Sequence, residues 1–248
     1  MRIERSAEIA GLPTTVVEPG ADAPLARFVW VLLHGMMMSP DDLSPFAHSL
    51  NLPAIALFPR GHVEAFDTSG PKGRAWWRTD PHAREASLEQ GPRDFFTFDL
   101  PDLPEARQTL DRFLAEVAER WPLPIVLGGF SQGGMLTCST LLHWGAREAG
   151  RAWVRRLRAV VLLSSSRIAG ADWTAERLAH FEGLPVFISH GRRDADLAFR
   201  AGEALRGALE GAGARVTWVP FDGPHEIPLV VWRALRKFLL DESPREPP

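Results

Sequence analysis

Gly129-Phe130-Ser131-Gln132-Gly133 reads G-x-S-x-G. The pattern carries chemistry when a strand leads into it and a helix leads out. The sharp turn between them strains the serine backbone and lifts its hydroxyl above the sheet. Both flanks fit: Ile125-Val126-Leu127 is a short apolar run, and Gln132 to Trp144 is an apolar-rich segment. Gly129 and Gly133 remove side chains where strand and helix pass closely. The alternative, a plain Gly/Ser turn, requires neither flank.

A serine hydroxyl is a poor nucleophile until a base stands within hydrogen-bond reach. Of the eight histidines, His225 is the best candidate. It follows the last strand candidate and precedes the last helix. Its loop, Asp222-Gly223-Pro224, is expected to be exposed and mobile enough to swing toward Ser131. The base in turn needs an acid that fixes its tautomer and stabilises the imidazolium. Asp194, just after a strand candidate ending at Ser189, is favoured. Asp196 and Asp222 are its rivals. Asp196 is also suited to capping the following helix, and Asp222 is so near His225 in sequence that loop geometry disfavours it.

Such a reaction passes through an oxyanion that needs backbone donors. One is the N–H of Gln132, at the helix N-terminus. The second comes from the loop after Leu33, where Met36 directly follows His34-Gly35. The run Met36-Met37-Met38 either shapes an apolar acyl site, with Met37 in its wall, or fills core space. His34 and His190 lie at strand ends and fit structural roles. Cys138, the sole cysteine, allows no intrachain disulfide and reads as a buried structural thiol. No His/Asp/Glu/Cys spacing reads as a metal site, and neither G-x-G-x-x-G nor a Walker A pattern occurs, so no cofactor is expected.

The elements that must carry these residues follow from periodicity. Strands are expected at residues 3–9 and 14–18, 28–33, 54–58, 124–127, 159–163, 186–189 and 216–219. Ser39-Pro40-Asp41-Asp42 signals a helix start, with Leu43, Phe46, Ala47 and Leu50 inward. Ala106, Leu110, Phe113, Leu114, Val117 and Trp121 recur at helical spacing up to Pro122. Further helices are expected over 196–211 and over 226–240, the latter with Ile227, Val230, Ala234 and Phe238 facing the core. Residues 147–156 read as a polar surface connection. Residues 59–103 read as a long loop insertion on the substrate side, rich in Gly, Pro and charge. Its aromatics, Trp76-Trp77 and Phe95-Phe96-Thr97-Phe98, either line a pocket or pin the loop to the core. Strands alternating with helices predict an α/β fold, with a mainly parallel central sheet and helices on both faces. Ligands then bind beyond the carboxyl ends of the strands, where Ser131, Asp194 and His225 all fall. Their chain order, Ser-Asp-His, is that of the α/β-hydrolase fold. Residues 1–242 are expected to form one such domain, and 243–248 a disordered tail.

The chain has 248 residues, 45% hydrophobic and 24% charged, with a formal net charge of -3. That length can bury a core with no disulfide or metal staple. The charge gives no basic field for nucleic acid or an anionic membrane. Lys72 and Lys237 are the only lysines, which reads as compositional bias toward arginine. No apolar run approaches a membrane span, and the N-terminal residues lack the apolar core of a signal peptide, so a cytoplasmic protein is expected. The expected assembly is a monomer or homodimer.

Four motifs together resemble the carboxylesterase/phospholipase family that includes the acyl-protein thioesterases. They are Leu33-His34-Gly35, Gly129-Phe130-Ser131-Gln132-Gly133-Gly134, His190-Gly191-Arg192-Arg193-Asp194 and Gly223-Pro224-His225-Glu226. The resemblance runs from about Phe28 to Leu240. It implies a compact serine hydrolase of esters or thioesters of small to medium acyl groups, acting through an acyl-enzyme without a cofactor. It also implies the triad Ser131, Asp194, His225 and the oxyanion pair Met36 and Gln132. Trp76 resembles a tryptophan that the family places beside the acyl pocket. Where the thioesterases usually continue Leu-Gly-Asp after His-Gly, this chain has Met36-Met37-Met38. Dienelactone hydrolases have a similar layout but look like cysteine enzymes, against which Ser131 argues. The alternatives are an acyl-protein thioesterase or lysophospholipase-like activity, or a non-catalytic binding module on a hydrolase scaffold.

Overall fold

The computed structural model describes residues 2–21, 23–144 and 151–242. The expected tail at 243–248, and the first part of the expected connection at 147–156, lie outside them. Ten strands are described: β1 Arg2–Ile9, β2 Leu12–Pro19, β3 Phe28–Leu33, β4 Ala54–Pro59, β5 Val63–Asp67, β6 Gly70–Ala75, β7 Ile125–Phe130, β8 Leu157–Leu163, β9 Pro185–Gly191 and β10 Arg215–Phe221. The helices are α1 Ser44–Leu50, α2 Pro81–Glu89, α3 Leu103–Arg120, α4 Gln132–Trp144, α5 Ala152–Arg156, α6 Ala175–Leu178, α7 Phe199–Gly211 and α8 Leu229–Glu242. Eight strands form one sheet in the order β1-β2-β4-β3-β7-β8-β9-β10. All pairs from β4 to β10 are parallel, and β1 and β2 extend the edge in antiparallel register. No helix among the described residues is long and apolar enough to cross a membrane.

A parallel strand buried on both faces needs apolar side chains at every position, and β3 supplies them. All six of its residues are fully buried. Successive side chains point to opposite faces. Val29, Val31 and Leu33 therefore pack with Leu110, Phe113 and Leu114 of α3 and with residues of α4 and α7. Phe28, Trp30 and Leu32 pack on the other face with α1 and α8. Strand register then aligns the ends that matter. Leu33 sits opposite Gly129, Phe130 opposite Leu163, Leu163 opposite Ser189, and Gly191 opposite Phe221. The chain segments leaving β3, β7, β9 and β10 consequently emerge on one rim.

Three expectations change. Residues 59–103 are not a structureless loop. They fold as the β5–β6 hairpin, α2 and a single 3-10 turn at Phe95–Thr97. The hairpin is tied down by polar contacts rather than an apolar stripe: the Met37 N–H donates to the Arg74 carbonyl, the Arg74 N–H donates to the Met38 carbonyl, and the Arg74 guanidinium donates to the carbonyls of Gly61 and His62. The helix expected from residue 196 starts at Phe199, because the intervening residues form a turn around the Asp194 carboxylate.

The closing helix also starts later, at Leu229, and its inward face is Val231, Trp232, Leu235, Phe238 and Leu239. Of the four residues expected to face the core, Phe238 is buried, and Ile227, just before the helix, and Ala234 pack against the same core partly buried. Val230 does not, and is 56% exposed. Trp232 is 3% exposed and stacks on Phe46 of α1, with ring centroids 3.9 Å apart. Trp232→Ala is accordingly expected to cost about 3–5 kcal/mol in urea unfolding. Val230→Ser should stay within about 0.5 kcal/mol. A larger loss at Val230 than at Trp232 would put Val230 back on the inward face.

Candidate active site

Ser131 is the single residue between β7 and α4, and its φ is +52°. A left-handed backbone at a non-glycine residue costs on the order of 1–3 kcal/mol and persists only where its surroundings hold it. Those restraints are visible. The Ser131 N–H donates to the Leu163 carbonyl at 2.8 Å, and the Ser131 carbonyl accepts from Met135 N–H at 3.0 Å and from the Ser165 hydroxyl at 3.2 Å. Glycines permit the close passage: a Cβ on Gly129 would collide with the backbone of Gly133 and Gly134, and one on Gly133 with the carbonyls of Leu33 and His34. The Ser131 side chain points into a cavity of about 200 Å³. No described residue hydrogen-bonds its hydroxyl.

His225 lines the same cavity. Its Nδ1 lies 2.7 Å from Asp194 Oδ2, which makes Nδ1 the protonated nitrogen and leaves Nε2 for the cavity side. Its ring packs on Phe130, the residue before Ser131, at 4.8 Å between centroids. The loop before it does not hang free, as its Gly-Pro sequence suggested. Arg192 and Arg193 donate backbone hydrogen bonds to the carbonyls of Phe221 and Gly223, and a side chain at Gly191 would strike the carbonyls of Gly223 and Pro224.

Asp194 is 4% exposed and fully engaged. Oδ1 accepts the N–H groups of Asp196 and Leu197 at 2.9 and 2.8 Å, and His190 Nε2 lies 3.3 Å from Oδ2. Burial by itself would raise the carboxyl pKa. The hydrogen bonds from His190, His225 and Leu197, with the charge of His225, outweigh it and hold the pKa at about 2. Of the rival acids, Asp222 is exposed and pairs with Arg193 at 2.8 Å, away from the ring. Asp196 caps no helix; it pairs with Arg84 and Arg93.

Met36 and Gln132 both border the cavity. Neither backbone N–H donates to another described group, so both are free for a ligand. The Gln132 side chain is committed elsewhere: its Oε1 accepts Trp76 N–H at 2.8 Å and its Nε2 donates to the Trp77 carbonyl at 3.3 Å. Trp77 forms part of the cavity wall. Trp76 does not: it is fully buried, with its indole N–H on the His34 carbonyl at 2.9 Å. Met37, at φ +66°, also stays off the wall, because that backbone turn hands the lining positions to Met36 and Met38. Cys138 is buried with its thiol pKa pushed up by that burial, which makes it inert. Among the described residues no group of three or more His, Cys, Asp or Glu could hold a metal ion.

Phe95, one of the aromatics weighed as pocket-lining, is in the wall, whereas sequence reading missed three wall residues from the same segment: Thr79, Arg84 and Arg93. Arg93 is 6% exposed, an unusual place for arginine, and its backbone pairs with the Asp196 turn from both N–H and carbonyl. No local spacing links Arg93 to residues about a hundred positions onward, so the pairing leaves no motif.

The chain matches the family model described as Phospholipase/Carboxylesterase over residues 14–241. Among solved structures it is similar to a carboxylesterase from Mesorhizobium loti, at 21% identity over 96% of this chain and 98% of that one, with a TM-score of 0.71. It is similar to esterase PE8 at 21% identity, over 97% and 99% of the two chains, with a TM-score of 0.65. SOBER1 of Arabidopsis thaliana gives 21% identity, 88% and 99% coverage, and a TM-score of 0.67. No curated protein matches.

His34 holds the rim of β3 and responds to pH. Its Nδ1–H donates to the Gly35 carbonyl at 2.6 Å, and its Nε2 accepts the Gly61 N–H at 2.9 Å, so protonation would remove the acceptor. Burial draws its pKa down from 6.5 to about 4. A lowered histidine pKa means the unfolded chain binds the extra proton first. Stability is therefore complete above pH 6.5 and declines toward pH 4, by about 3 kcal/mol from this residue. Urea unfolding across that window should show a shallower pH slope for His34→Gln than for the parent. Parallel slopes would contradict the assignment.

Proposed function

The chain belongs to the phospholipase/carboxylesterase family of α/β hydrolases, and from that premise we propose that it is a serine carboxylesterase acting on small to medium acyl esters or thioesters. The observation that carries this reading is the 2.7 Å contact between Asp194 and His225, with His225 and Ser131 bordering one cavity. In the proposed reaction His225 Nε2 accepts the Ser131 proton as Oγ attacks the acyl carbonyl. Asp194 accepts the Nδ1–H and stabilises the imidazolium. Its low pKa keeps it ionised through the working range. The free N–H groups of Met36 and Gln132 receive the oxyanion. His225 then returns its proton to the leaving oxygen or sulfur, and afterwards activates the water that cleaves the acyl-enzyme. The strained turn at Ser131 supports the nucleophile role, since strain of this kind collects at working residues. The unbonded hydroxyl is compatible with it, because the serine–histidine contact is often loose until substrate arrives. Trp77, Met38 and Phe95 would hold the acyl or leaving portion by apolar contact.

Ser131→Ala should abolish hydrolysis of 4-nitrophenyl butyrate while leaving the unfolding transition in place. Asp194→Asn should lower kcat by about 10³–10⁴, as loss of the orienting acid does in serine hydrolases. Labelling by a fluorophosphonate should disappear with Ser131→Ala. Full turnover in that variant would refute the assignment.

A further inference from the structure

The cavity beside Ser131 is chemically lopsided. Met36, Met38, Phe130, Met135 and Leu197 make one part of its wall apolar, while Arg84 and Arg93 stand in another part around the single carboxylate of Asp196. Arg93 is spent: it is buried, pairs with Asp196, and its guanidinium lies over the Phe95 ring at 4.8 Å. Arg84 is not. It reaches Asp196 through one terminal nitrogen at 3.3 Å, and its Nε–H is buried with no hydrogen-bond partner among the described residues. A buried donor without an acceptor costs on the order of 1–3 kcal/mol, a cost that an incoming acceptor would remove. The field agrees. Burial, and then the nearby charge of Arg84, draws the Arg93 pKa down to about 10, while Asp194 opposes that. Asp194 is already committed to two histidines and two backbone N–H groups.

The neighbouring cavity, of about 510 Å³, shares Met36, Trp77 and Thr79 with the first and has the opposite sign. It carries Glu64, Asp102 and Glu105 against Arg78 and His62, and Arg78 is already paired with Asp102 at 3.3 Å. An anion is repelled there and attracted at Arg84. We propose that the preferred substrate is an ester bearing a carboxylate in its acyl or alcohol portion, and that Arg84 is the specificity residue that receives it. A guanidinium fork suits that group, because Nε–H and a terminal N–H can pair with its two oxygens once it displaces the packing over Nε. The inference rests on the ester-hydrolase reading for the remainder of the ligand.

Ser131→Ala provides a protein that binds without turning over. Calorimetric titration would compare monomethyl glutarate with methyl valerate, where the acid sits in the acyl portion. It would also compare 4-acetoxybenzoate with phenyl acetate, where it sits in the alcohol portion. At least one acid should bind about ten-fold more tightly than its neutral partner. The series that shows the gain identifies the portion carrying the charge. Adding Arg84→Gln should erase the gain, and Arg84→Lys should restore part of it. Equal binding in both series, or a gain that survives Arg84→Gln, would overturn the proposal. If the parent protein hydrolyses none of the four esters yet the Arg84-dependent gain is present, the carboxylate-binding role of Arg84 stands and the ester-hydrolase reading on which the substrate class rests fails.

Discussion

The carboxylate of Asp194 is the contact on which the arrangement turns. Its four hydrogen-bonding partners come from three places: His190 at the end of β9, the Asp196–Leu197 turn, and His225 after β10. One buried charge thus fixes the imidazole, shapes the approach to α7 and anchors the segment to which Arg93 pairs. The charge survives burial because each partner favours its ionised form more than desolvation disfavours it. Stripping any one of them would be felt at the others, since they share two oxygen atoms.

The second constraint is strand register. Parallel pairing across β3, β7, β8, β9 and β10 brings four chain exits to one edge without help from the side chains that act there. The elbow at Ser131 then needs only glycines on either side and a hydrogen bond from the neighbouring strand. Framework and chemistry meet in backbone geometry, which explains how the fold accommodates so varied a wall.

Much of this was readable from residues alone. Buried strands announce themselves as unbroken apolar runs, and Ser131, Asp194 and His225 each sit where such a run ends. The strained serine turn has a local signature, and so do its glycines. What escaped notice lacks one. The β5–β6 hairpin pairs through polar and glycine-rich segments, and Arg74 anchors it through backbone carbonyls, so neither period nor composition marks it. Val230 was the misplaced member of the α8 stripe, because the helix begins only after Pro228 and turns that residue outward. Met37 looked equivalent to its neighbours until its left-handed backbone set it apart, and Trp76 looked equivalent to Trp77 until burial separated them. Arg84 and Arg93 acquire meaning only through Asp196, far along the chain.

Gln132 joins two duties in one residue. Its main chain opens α4 beside Ser131, while its amide side chain grips the backbone at Trp76 and Trp77, where the inserted segment crosses toward its helix. One amide therefore ties the segment carrying Trp77 to the N-terminal end of α4, beside Ser131. Any shift in that segment would be transmitted to the start of α4, even by a ligand that never touches it.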